Sequence, residues 1–89
     1  MGKKLSERVA DAWGVPKDVI MDMPRITVRG DREIYIENHR GIAGFDENSI
    51  SISSGIGKVT VYGDGLVISA VRQEDVLISG SFKKIEYEV

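Results

Sequence analysis

The chain has 89 residues, with 12 Lys and Arg against 14 Asp and Glu and a formal charge of −2. That length supports one domain with a modest core, and the charge lacks the positive field that non-specific nucleic-acid binding needs. There is no cysteine, which excludes a disulfide framework and a thiolate metal site, and no run approaches the roughly 18 apolar residues of a membrane span, so a cytoplasmic protein is expected, with any membrane contact made through a partner.

The chain opens on Met1-Gly2-Lys3-Lys4-Leu5-Ser6, which fits the myristoylation template of a glycine behind the initiator with serine at the sixth position. The motif is short and permissive, and a solvated start is the plainer reading. Leu5, Val9 and Trp13 then recur every four residues beside Ala12, a spacing that predicts a helix over residues 4–13 with one apolar stripe. Gly14 is placed to end it, Pro16 suits the first position of another turn, and Pro24 closes the segment. A helix this short is marginal alone, so its stripe must pack on the sheet or on another subunit. Residues 1–24 are therefore expected to be a helical segment and residues 25–89 a β module, together forming one folded domain.

From Arg25 the apolar period becomes two: Ile26 and Val28, Ile34 and Ile36, Ile50 and Ile52, and Val59 and Val61 alternate with polar residues. Further runs follow at 66–71, 76–82 and 85–89, with a short one at Ile42. Gly30-Asp31, Gly44, Ser54-Gly55, Gly63-Asp64-Gly65 and Arg72-Gln73-Glu74-Asp75 supply turn residues between them. The expected fold is mainly β: the short N-terminal helix, then about seven or eight short strands in an antiparallel meander, sandwich or small roll. Hairpin-length connections favour antiparallel pairing, because parallel strands need long crossovers; a short β-solenoid, whose tight corners escape that argument, is the alternative.

Chemistry is sparse. His39, the one histidine, lies in the stretch Ile36-Glu37-Asn38-His39-Arg40-Gly41-Ile42, and a Ser or Cys nucleophile would have no other imidazole base. Asp46-Glu47-Asn48 offers oxygens but lacks the glycine and terminal glutamate of a calcium loop. Lys58 in SGIGKVTV precedes a strand instead of the Ser or Thr and helix of a phosphate loop, so Gly55 and Gly57 read as a hairpin turn with a bulge. In the C-terminal IEYEV, Ile85, Tyr87 and Val89 share one face and Glu86 and Glu88 the other; at a sheet edge such glutamates discourage indiscriminate pairing. The expectation is no catalytic residue, no metal site and no cofactor.

Met23-Pro24-Arg25-Ile26-Thr27-Val28-Arg29-Gly30, then IENHRGI, then the beat of I-x-I and G-x-x-V/I-x-x-G units together resemble the YabP/YqfC family of sporulation proteins from endospore-forming bacteria, and most of all its YqfC branch. The resemblance runs from the helix before Pro16 to Val89. It departs at Ile50-Ser51-Ile52, where an arginine often stands between the isoleucines, which puts any charged contact there in doubt. What it implies is a non-enzymatic protein of the mother cell, needed for normal spore formation and associated with a membrane protein of the YqfD type.

The leading expectation is thus a structural or adaptor module working by protein contacts, with a homo-oligomer as a further option. Asn38, His39 and Arg40 are the candidate partner-binding corner, because an amide, an imidazole and a cation together give directional donors at an interface rim. Glu86 and Glu88 are candidates at the C-terminal edge. The competing reading of the corner is that Asn38 and His39 satisfy local backbone groups. The competing function is a small-ligand or carbohydrate-binding β module using Tyr35, Tyr62 or Tyr87 as flat surfaces.

Overall fold

In the computed structural model, which describes residues 22–89, the chain forms six strands: β1 Arg25–Arg29, β2 Glu33–Glu37, β3 His39–Phe45, β4 Ser49–Ser54, β5 Gly57–Val71 and β6 Asp75–Glu88. They make one sheet in the order β1-β2-β6-β5-β4-β3, and every pairing is antiparallel. The hairpins sit where turn chemistry placed them. Gly30 takes a φ of 56° and Arg32 donates to the Arg29 carbonyl at 3.2 Å. Asp46 accepts the amides of Asn48 and Ser49 at 2.7 and 2.8 Å, an Asx turn that closes β3 onto β4.

The two long strands bend halfway. β5 pairs with β4 only from Gly57 to Tyr62, β6 pairs with β2 only from Asp75 to Ser79, and the register of β5 against β6 shifts at Tyr62/Gly63, Asp64/Val67 and Ile68/Ala70. Bulges of this kind kink a strand and raise its twist. The kink needs residues without side chains. A Cβ on Gly63 would meet the Ser81 carbonyl, and one on Gly80, whose φ is 144°, would lie 2.9 Å from the Gly65 carbonyl.

The bend divides the sheet into two arms. One holds β1, β2, the first half of β6 and the second half of β5; the other holds β3, β4, the first half of β5 and the second half of β6. Ile34, Ile36, Val76 and Ile78 from the first arm join Ile50, Ile52 and Val61 from the second, with Leu66 at the bend of β5, in one core cluster, each at most 4% exposed. Burial so complete on one face requires the arms to be folded over each other. The arms are related by a pseudo-twofold. The β1–β2 turn accepts amides of Gly80 and Phe82 at Arg32 and Asp31, and the β3–β4 turn accepts amides of Gly63 and Leu66 at Asn48 and Glu47.

Two expectations change. Gly63-Asp64-Gly65 is a bulge inside β5, not a turn, so the runs starting at Val59 and Leu66 are one strand; those starting at Val76 and Ile85 are likewise one strand, β6. Gly44 lies inside β3 instead of punctuating it. The helix predicted over residues 4–13 lies outside the described residues.

Candidate functional site

Asn38 alone connects β2 to β3, and with a φ of 63° it takes the left-handed conformation that asparagine tolerates better than most residues. Its amide donates to the Glu74 carbonyl at 2.7 Å and its side-chain amide to the Met23 carbonyl at 2.9 Å. The reversal turns His39 inward, where it is 9% exposed. Its Nδ1 accepts the Gly41 amide at 2.9 Å, so Nε2 carries the proton and donates to the Arg72 carbonyl at 3.1 Å. Gly41 takes the positive φ expected of it, at 123°, beside the register shift between His39 and Ile42. Arg40 points outward, its side chain 62% exposed, with Nη2 2.7 Å from Asp22 Oδ1.

The C-terminal glutamates project from the outer face of the same arm. Thr60 donates to Glu88 Oε1 at 3.0 Å and also contacts the Ser51 hydroxyl; Tyr62 donates to Glu86 Oε1 at 3.4 Å, and Lys84 lies 3.5 Å from Glu86 Oε2. Register pairs run His39↔Ser54↔Gly57 across β3, β4 and β5, with Lys58 opposite Glu88. Asp22, which holds Arg40, lies against Gly55 in the β4–β5 turn. The fold therefore carries both predicted clusters, separated by more than half the chain, to one end of one arm: Asn38, Arg40 and Glu88 around the β4–β5 turn, with Glu86 two residues inward along β6.

A second polar group lies on the outer face of the other arm. Tyr35 donates to Asp75 Oδ2 at 2.6 Å, and Arg72 grips the same carboxylate through Nε at 2.7 Å and Nη2 at 2.8 Å. The Arg72 bonds, then the Tyr35 hydroxyl, hold Asp75 below the ordinary carboxylate range. Donation to Asp75, then burial, pushes the Tyr35 hydroxyl above the ordinary phenol range. Next to it Thr27, Arg29, Glu33, Tyr35 and Leu77 line an open depression of about 240 Å³. In sequence Arg72 and Asp75 read only as a turn, and Tyr35 stands 40 residues from Asp75; the spacing of Arg72 and Asp75 across one hairpin was the available signal. Of the tyrosine surfaces considered, Tyr62 has the Lys84 ammonium 4.6 Å from its ring centre, and Tyr87 is 53% exposed.

The sequence model of the YabP family matches residues 22–89, a span that holds all six strands. A protein of Bacillus subtilis (strain 168) called uncharacterized protein YqfC is 41% identical over 76 residues, covering 85% of this chain and 82% of that protein.

Proposed function

The chain belongs to the YabP family, and on that premise we propose that it serves spore formation in the mother cell as a non-enzymatic adaptor, binding a membrane protein of the YqfD type through protein contacts. The observation that carries this reading is the gathering of Asn38, Arg40, Glu86 and Glu88 at one end of one arm, presented by a rigid sheet. Charged groups of both signs on a fixed frame give orientation and association rate to a partner with the complementary pattern. Arg40 is central, since its guanidinium is mostly exposed and can share its donors between Asp22 and a partner carboxylate. His39 sets the backbone from which Arg40 projects.

Co-purification with the YqfD-type membrane protein tests this. Arg40→Ala combined with Glu86→Ala and Glu88→Ala is expected to abolish capture while the melting temperature stays within a few degrees of the parent, and capture by the parent is expected to weaken as salt is raised. Undiminished capture by the triple variant would remove this surface from the proposal.

A further inference from the structure

We propose that β3 is a self-association edge, at which a second copy of this chain adds its own β3 in antiparallel pairing. The inference concerns the β3 edge, which shares Arg40 with the adaptor contact above but otherwise stands on other observations.

β3 is an end strand of the sheet, with β4 as its one neighbour. Its row of outward backbone groups is a template for another strand, and proteins usually blunt such rows with charge or proline. The other end strand, β1, is blunted: it follows Pro24 and carries Arg25 and Arg29. The free half of β6 carries Lys83, Lys84, Glu86 and Glu88. β3 has no charge between Gly41 and Phe45, and Phe45, opposite the buried Ile50 at the end of the strand, is 71% exposed. The free half of β5, residues 67–71, is also without charge. It and β3 are tied at both ends, by His39 to the Glu74 and Arg72 carbonyls and by Leu66 to the Glu47 carbonyl. Ile42 and Phe45 of β3 and Val67 and Val71 of β5 are each between 36% and 71% exposed.

Two features select a second copy as the occupant. Arg40 stands at the start of β3 and Asp46-Glu47 just beyond its end. Antiparallel copies bring each Arg40 toward the other's acidic turn, whereas parallel copies would set like charges together. The strand between those charges, Gly41 to Phe45, carries no charge of its own, so nothing along it opposes an identical strand.

The test is the solution mass of the full chain by light scattering across a concentration series. A dimer of twice 9.8 kDa is expected, with Phe45→Lys raising its dissociation constant roughly tenfold or more. Arg40→Glu should weaken it and Arg40→Glu with Glu47→Arg restore it. Because the parent lacks cysteine, oxidation of Ala43→Cys should give a covalent dimer in much higher yield than Val28→Cys, which stays informative if Phe45→Lys fails to fold. A monomer at all concentrations, or a dimer indifferent to Phe45→Lys and to the charge swap, would overturn the assignment; the second result would point to another edge or to residues 1–21. Capture of the membrane partner by Phe45→Lys separates this outcome from the fate of the adaptor reading.

Discussion

Single residues in this small fold carry electrostatic work that a pH titration can read. Asp75 is held below its ordinary range by Arg72 and Tyr35, so on acidification the unfolded chain takes up that proton first. Its contribution to stability is complete above about pH 4 and is lost as pH falls through the lowered native value. Tyr35 is raised, so its contribution is complete below about pH 10 and is lost as pH climbs through the raised native value. Asp75→Asn is therefore expected to melt lower than the parent at neutral pH, with the gap closing below about pH 4, and the gap for Tyr35→Phe should close on the alkaline side. Melting curves across pH check both; gaps that stay constant would show that these bonds do not set the titrations. The Asn38 to Arg40 corner was legible because a glycine and an amide between two strand patterns announce a reversal. Which of its side chains would turn inward was not, since that depends on the Glu74 and Arg72 carbonyls arriving from far along the chain.

At the level of elements, the decisive feature is the bend of β5 and β6. Alternation of Ile34 with Ile36 and of Ile50 with Ile52 exposed the hairpins directly, because a half-buried strand must alternate. Gly63-Asp64-Gly65 misled because turns and bulges draw on the same residues for the same conformational reason. What separates them is the neighbouring strand, which sequence alone does not place: β6 runs alongside β5 through the break. The glycines then have unequal burdens. A Cβ at Gly80 would press on the Gly65 carbonyl and on Leu66 in a conformation already poor for L-residues, whereas one at Gly44 meets nothing within 4 Å. Gly80→Ala is expected to cost roughly 3 kcal/mol, and Gly44→Ala to fall within about 0.5 kcal/mol of the parent. Denaturant midpoints at unchanged slope check the pair. Equal losses would mean that the bend relaxes without needing a bare backbone.

For the molecule as a whole, the question is whether two pseudo-symmetric arms behave as two units or one. Each arm has its own hairpin, yet neither has a core of its own: the isoleucines of β2 and of β4 are fully buried only because they meet in one cluster, with Leu66 at the crossing of the long strands. Both long strands pass through both arms, so separating the arms would open the β5–β6 ladder as well as the core. Cooperative unfolding follows, as is usual for single domains of this size. Ile52→Ala, in β4, should cost about 2–5 kcal/mol through lost burial and the cavity left behind, enough to lower the melting temperature of so small a domain by many degrees. Its distinguishing effect is remote. Hydrogen exchange should show the amides of Ile34 and Ile36 in the opposite arm losing as much protection as those of β4, because their slowest opening is the global one. Protection retained in β2 while β4 is destabilised would instead divide the chain into two independently opening halves, and a partner could then be captured by one arm while the other is open.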